Sequence, residues 1–467
     1  MLLFFLFITT DLSQCLGPDA TANGIALQQY YAGTPDSDTI LDGEFDVHIT
    51  APFQIMPTTP GTLRGNAILH FTFEPGVNWK EWKAAIFIAS PGFKLKGLTI
   101  LGPYDYLDDN TMGVVAYNGS LPTGWTSGEI SLENCTIKGF RFGFFGRIDQ
   151  APGPNKLSLV GNHIEAHVGA ALYHANTTDA HELFAAGNEF MIVPIVDGHG
   201  DGMYLHCGIS AYFGYNSGGV IPLYGYTKAK HFFQQYGSVR NPARYMVLEG
   251  NWIDGRSSTP NYFNGHSAVM FYPVDEPTQG CLISGNTFLG EGCNIAIRLR
   301  HGATITNNVF DGVKSALQGY NVPNTDPGVF VVNDNFMRCT NNNFASVSGG
   351  LKTWIFSNNE IDMSQFSNPN AIFRTDGPVY VQNICLINNA IYGSQVGCAI
   401  WQGNGFCQVF GGANRMDYLG PYNKYGFNSL DGSGGAFYLA PQGTQTGGLA
   451  VVDPNAPWIG EHSINIQ

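Results

Sequence analysis

The chain has 467 residues, 59 of them glycine; 13% are aromatic, only 12% are charged, and the formal net charge is −14. A balance this negative argues against a nucleic-acid binder, which needs a basic surface for phosphate, and more weakly against an anionic polysaccharide, which a local arginine cluster still accommodates. Abundant glycine and aromatic residues with few charges mark a β-rich chain with many tight turns.

Residues 1–48 show little periodicity and read as an N-terminal lead-in or docking segment. The opening Met1-Leu2-Leu3-Phe4-Phe5-Leu6-Phe7-Ile8 is apolar, but it lacks a basic flank and is short for a signal core or membrane span. Leu12-Ser13-Gln14-Cys15 has a lipoprotein-like spacing with an unusual glutamine, so signal, docking segment and strand stay open. From Val47 to Gly102 come H-I-T-A-P-F-Q-I, T-L-R-G-N-A-I-L-H-F-T-F, A-A-I-F-I-A-S and F-K-L-K-G-L-T-I-L-G-P. These are strand-length apolar runs divided by glycine and proline.

Beyond them an asparagine returns before a large apolar residue, as Asn134, Asn162, Asn188, Asn251, Asn286, Asn308, Asn359, Asn389 and Asn414, with Asp334 taken in the same slot. The spacings run from 22 to 35 residues, with one of 63. Such periods signal a solenoid, because one unit cannot bury its apolar face alone. Asparagine tolerates the left-handed turn between faces, and amides stacked one strand spacing apart can bond along a ladder. The prediction is an all-β, right-handed, single-stranded parallel β-helix of roughly 10 to 13 coils over 49–417. The long interval, aromatic-rich at 208–243, reads as an inserted loop, and 418–467 as a C-terminal cap or assembly segment. Nine cysteines without C-x-x-C spacing read as buried thiols. The sequons at Asn118, Asn134 and Asn176 matter only in a eukaryotic secretory host.

On these coils the chain resembles the pectate-lyase-like right-handed β-helix superfamily, which includes polysaccharide lyases, some glycoside hydrolases and phage tailspikes. The resemblance covers roughly residues 47–417 and is specific for the fold rather than the reaction. It implies a carbohydrate-binding protein, a homotrimer in many relatives, and a virion appendage or extracellular location. No membrane span and no nucleic-acid partner are expected. No cofactor is required; calcium serves some relatives, but no calcium-site motif occurs here.

Function should lie on one outer face. Each strand after the ladder opens with a small and an apolar residue, as in Ala296-Ile297 and Ala316-Leu317. If the apolar residue points inward, the next and third-next point outward. The outward set is then Tyr204 and His206, Met270 and Tyr272, Arg298 and Arg300, Gln318 and Tyr320, then Phe373 and Trp401. Aromatic faces stack on sugar rings and arginine clamps a carboxylate or sulfate. Tyr204, His301, Gln318, Tyr320 and Trp401 are therefore candidates for substrate binding.

Leu299-Arg300-His301-Gly302 is similar to the L-R-H-G segment of β-helix lyases that cleave alginate and dermatan sulfate, which implies a role for Arg300 in elimination. The lysine base of that family is missing; Asp275, Glu276 and Pro277 stand near its place. β-Elimination from a uronate needs a cation to neutralise the carboxylate and a base to take the α-proton. Arg298 or Arg300 supplies the first, and His206 or Tyr272 the second. A hydrolase instead needs two carboxylates, for which Asp197, Asp201, Asp275 and Glu276 are available, although Asp197 and Asp201 lie in a D-G-H-G-D-G stretch that reads first as a turn. Elimination is the favoured reaction; the competing class is a non-catalytic adhesive fibre.

Overall fold

The computed structural model describes residues 9–33, 38–77, 83–108, 111–117, 128–147, 156–173, 181–196, 200–206, 209–237, 245–256, 267–273, 280–322, 328–340, 343–349, 353–365, 370–378, 383–404, 408–412, 415–422, 427–429 and 436–439. Two compact units divide the chain: Met1–Arg244 with Val274–Glu276, and Tyr245–Pro273 with Pro277–Gln467. Each is taken by itself below.

Both units are parallel β-helices, in which every coil adds a strand to each of three sheets. In the first unit, Glu129–Glu133, Lys156–Val160, His181–Ala186 and Ile209–Gly214 stack in parallel register as a first sheet. A turn then leads to the second sheet, built from the starts of Thr136–Arg147 and His163–Tyr173 and from Glu189–Ile192 and Ser217–Val220. The ends of the two long strands, with Asp201–His206 and His231–Gly237, form the third sheet. Inward side chains stack as well: Phe190 lies 5.9 Å from Phe213 at 21°, and Phe232 packs edge-on against both. In the second unit Phe288 stacks on Phe310 at 5.2 Å and Phe330 on Trp354 at 4.3 Å. Like side chains on successive coils thus fill the core in ladders, which the sequence period requires.

The asparagine ladder sits at the turn between the first two sheets. In the first unit the Cys135 N–H donates to Asn162 Oδ1 at 2.9 Å, and both the backbone N–H and Nδ2 of Asn162 donate to Asn188 Oδ1. Asn188 binds Asn216 in the same way. In the second unit the chain of amides runs Asn251, Asn286, Asn308, Asn335, Asn359, Asn389. These amides are almost completely buried, so the ladder satisfies groups that would each be costly to leave unpaired. Before each rung stands a residue with positive φ: Asn134, Gly161, Gly187 and Tyr215 in the first unit; Gly250, Gly285, Asn307, Asp334, Asn358 and Asn388 in the second.

Two slots differ from the sequence reading. Asn134 and Asp334 occupy the left-handed position, and the ladder places fall to Cys135 and Asn335. At Asp334 the large apolar residue misleads, since Phe336 is half-exposed and the inward residue is Met337; after Asn134 the inward residue Ile137 lies three places on, which puts the rung at Cys135. Asn216 was not seen at all, since Ser217 and Gly218 follow it. Consequently 208–243 is not an inserted loop. It carries Ile209–Gly214, Ser217–Val220 and His231–Gly237, one strand for each sheet of a full coil. Asn414 lies outside the described residues.

At the N-terminus the helix Ala20–Ala32 is capped by Asp19, which accepts from the N–H groups of Thr21 and Ala22, and ends at Gly33. It lies against the strand Glu44–Ile49: Asn23 Nδ2 donates to Asp46 O at 2.8 Å, and a Cβ on Gly24 would come within 2.3 Å of His48 O. Leu27 and Tyr31 are buried, Tyr31 edge-on to Phe93. Residues read as a lead-in segment thus cover an end of the solenoid that would otherwise expose apolar core and unpaired strand edge. Among the described cysteines, 135, 281, 293 and 339 are buried free thiols, Cys385 is half-buried and Cys15 is exposed.

Candidate functional site

In the first unit the third sheet does not alternate simply. Register pairs Ala84, Met112, Phe142, Val168, Asp201 and His231 in one column, and Phe87, Val115, Phe145, Ala171, Tyr204 and Gln234 in another three residues on. Members of both columns from Ala84 to Ala171 form one apolar cluster, with Phe53, Met56, Phe142, Tyr173 and Tyr204 packed against it. Both columns therefore share one side of the sheet, the side opposite core residues Met203 and Leu205. Two consecutive inward positions separate them. At Gly202 a Cβ would meet Phe232 O at 2.6 Å, so glycine is what lets the backbone approach there.

The outer wall changes character along the coils. Its early part is closed by the segment carrying Ile55 and Pro57, whose carbonyls accept from the N–H groups of Phe87 and Ala89, and Phe53 meets Phe87 edge-on at 4.5 Å. Further on, Phe145, Tyr173 and Tyr204 follow with ring centres 5.3 and 5.0 Å apart, and His206 stacks on Tyr173 at 6.4 Å. The last two strands make a polar grid in which Asp201 pairs with His231, Tyr204 with Gln234 and His206 with Tyr236.

Asp201 is the chemically distinctive member. It is 7% exposed, and neither its Oδ1 nor the Oε1 of nearby Gln234, 2% exposed, has a hydrogen-bond partner. Burial pushes its carboxyl up to about 7, although the Lys230 charge and the His231 backbone N–H pull the other way. A carboxyl that keeps its proton near neutrality and faces an aromatic wall is equipped as a proton donor. Burial likewise raises the Tyr173 phenol, with the Asp201 charge adding to it.

The turn reading of Asp201 therefore gives way to a strand position on the outer wall. The signal that would have found it is the missed coil at Asn216. Asp197 and His199 lie outside the described residues, as do Asp275 and Glu276. Tyr204 and His206 stand on one outer side with Tyr173; the strand paired with theirs is His231–Gly237, where the sequence pattern placed Met270 and Tyr272 next.

In the second unit Met270, Arg298, Gln318 and Ser346 form one register column, continued in the backbone by Arg374 and Trp401. Arg374 thus takes the place the sequence reading gave to Phe373, which pairs instead with the inward Ala345. Arg298 Nε donates to Gln318 Oε1 at 2.7 Å. The Arg300 N–H donates to Phe271 O, so Arg300 follows Ile295–Leu299 in step with the preceding coil. Tyr272 and Tyr320 lie within Ser267–Pro273 and Ser315–Val322; their side chains, and that of Trp401, are outside the described set. His301, expected to touch substrate, is 2% exposed with Nδ1 3.2 Å from Gly302 O, and so is enclosed rather than presented. His206 belongs to the first unit and the two arginines to the second. Among the described residues no group of three or more histidine, cysteine or acidic side chains is placed to hold a metal, and no helix is long and apolar enough to cross a membrane.

No family model matches the chain, and no curated protein matches it. Solved structures do. The Dettilon tailspike protein aligns over 84% of this chain and 68% of its own, at 12% identity and a TM-score of 0.41. The catalytic unit of a GH87 α-1,3-glucanase from Streptomyces thermodiastaticus strain HF3-3 aligns over 94% and 69%, at 12% identity and 0.42. The A-module of the mannuronan C-5 epimerase AlgE6 of Azotobacter vinelandii aligns over 95% and 99%, at 12% identity and 0.34. At this distance the coil architecture rests on the register and ladder above, not on these likenesses.

Proposed function

We propose that this protein binds a polysaccharide along the outer wall of its third sheet and cleaves it, with Asp201 donating a proton to the departing glycosidic oxygen. The observation that carries the reading is the Asp201 grid: a buried carboxyl with a raised pKa beside stacked Tyr173, Tyr204 and His206. Strand spacing of about 4.8 Å sets aromatic rings at intervals close to one sugar residue of an extended glycan, and such rings offer apolar faces to pyranose rings. The named neighbours, a tailspike, an α-1,3-glucanase and a mannuronan epimerase, are in keeping with a glycan ligand, and with an appendage or extracellular location and the trimer expected of tailspike-like chains.

Both routes of chain cleavage need an acid for the leaving oxygen. Elimination adds a base for the α-proton and a cation for the uronate carboxylate; Arg298 and Arg300, with Tyr272 on the coil before them, are candidates for these within the second unit, a separate reading that does not draw on Asp201 of the first. Hydrolysis adds a second carboxylate. The elimination reading is favoured by the arginine column, which the bond from Arg298 to Gln318 holds in place.

A panel of neutral and uronate glycans, assayed for reducing ends and for the ultraviolet absorbance of unsaturated uronate, tests this directly. New reducing ends that Asp201→Asn abolishes are expected, and without absorbance they mean hydrolysis at the first unit's wall; absorbance that Arg300→Ala abolishes means elimination at the second unit's arginine column. Turnover that survives Asp201→Asn unchanged rejects the assignment, and binding without any product points to an adhesive fibre.

A further inference from the structure

A strap of chain in the first unit reaches well beyond its own coil. Residues 221–230 leave the second sheet after Ser217–Val220 and enter the third at His231–Gly237. Both roots are fixed on the preceding coil, where the Ile221 N–H donates to Ile192 O and the Lys230 N–H to Gly200 O, each at 2.8 Å. The tip is fixed elsewhere. The Tyr224 ring meets Tyr106 edge-on at 6.2 Å, and its hydroxyl lies 3.5 Å from Tyr104 O. Tyr104 and Tyr106 follow Thr99–Leu101, four second-sheet pairings away, so the contact bridges about 19 Å of the coil axis. Two of the coils between, those of Thr136–Arg147 and His163–Tyr173, turn the corner as unbroken strands.

The seat of the tip is itself held. Tyr106 is fully buried, its hydroxyl donates to Glu165 Oε1 at 2.9 Å, and Arg141 Nη1 donates to its carbonyl. Edge-to-face contact is the arrangement aromatic pairs favour, and a loop pinned at both roots and at its tip has lost most of its backbone freedom.

What the strap brings to the wall is Lys230. It stands one place before His231, the register partner of Asp201, and its N–H is bonded to the residue just before Asp201. Its charge acts on the Asp201 carboxyl against the effect of burial. The other titratable groups around that carboxyl, among the described residues, are Tyr204 and His206 on its own strand, His231 on the next, Tyr173 on the one before, and His167, whose ring lies beside Gly200. None of these belongs to the strap. We propose that Tyr224 is a positioning residue: by seating the strap against Tyr106 it holds Lys230 beside Asp201. The catalytic meaning of this placement rests on the acid role proposed above; the placement itself does not.

The test compares the thermal midpoint of each protein with that of its own Asp201→Asn partner from about pH 4 to about pH 9. The gap widens until the folded carboxyl is fully ionised, and a nearby cation favours ionisation, so losing Lys230 moves the end of the widening to higher pH. Lys230→Met should move it by at least about half a pH unit. Tyr224→Ala should move it the same way, and the double variant no further than Lys230→Met alone. Tyr224→Phe, which keeps the ring edge, should follow the wild type. A Tyr224→Ala curve that superimposes on the wild type, or a shift that adds in full to that of Lys230→Met, overturns the inference. Should Tyr224→Ala not fold, Tyr224→Leu takes its place under the same criteria. The readout needs no turnover: cleavage that survives Asp201→Asn removes the acid role, while a shifted curve still upholds the strap.

Discussion

Replacing Asp201 by asparagine keeps size and shape and removes the titration. In the folded chain the carboxyl ionises near 7, against 3.8 in an unperturbed setting. The raised value means the folded state holds a proton that the unfolded state has released, so the wild type loses stability as pH climbs from 3.8 towards 7 and pays no further cost above that. At about 1.4 kcal/mol per pH unit the full loss is roughly 4 kcal/mol. Asp201→Asn escapes it: the variant should unfold at nearly the wild-type temperature at about pH 4, and well above it at about pH 8. Thermal midpoints of both proteins across that range are the assay, compared as differences because long coil stacks need not unfold in one step. A gap independent of pH would refute an enclosed, late-ionising carboxyl, and a gap of opposite sign would mean that Lys230 outweighs burial.

Asn308→Ala removes the acceptor of two donors on Asn286 and the donor to Ile283 O, Thr306 O and Asn335 Oδ1. At about 1–3 kcal/mol per stranded buried group it should cost about 3 kcal/mol or more, and a loss below about 1 kcal/mol in denaturant unfolding contradicts the ladder's role. Tyr215 holds φ at 56°, a conformation that costs an ordinary side chain about 1–2 kcal/mol; Tyr215→Asn should raise the melting temperature, and a lower one counts against strain there. Burial pushes the Cys281 and Cys293 thiols up to about 12, so Cys15 should react with thiol reagents in the native protein and those two only after unfolding, as peptide mapping will show. If uronate recognition is correct, Arg298→Lys, which keeps the charge but not the fork held by Gln318, should lower kcat/KM at least about tenfold on a uronate polymer and leave a neutral glycan unaffected; equal effects on both argue against it.

The coil was legible because its period is written in a residue type with a physical job. Asn162, Asn188, Asn286 and Asn389 are rungs wherever Gly or Asn precedes and an inward apolar residue lies two places on. The reading slipped where another residue meets the same backbone need. Cys135 accepts the rung position, and Tyr215 takes the left-handed turn usually given to glycine or asparagine, so the coil at Asn216 was hidden and its strands were read as loop. The site suffered more, because outward direction depends on a local irregularity that side-chain type does not announce. The extra inward residue at Gly202 turns Asp201 to the wall; at Phe373 the register is regular, and Phe373, one place beyond the Ala371-Ile372 pair, takes the position of inward Ala345, which leaves Arg374 in the outward column.

Each ladder amide bonds only to the coils directly before and after its own, its amide partner lying 22 to 35 residues away along the chain. No rung depends on a distant one, so a whole coil can be removed or duplicated between two equivalent asparagines while both joints keep their bonding partners. The molecule is in that respect an extensible ruler. Excising the residues between Asn286 and Asn308 should shorten the second unit by one strand spacing without unfolding its coils on either side, and it would move that unit's outer-wall residues after the cut one step closer to those before it.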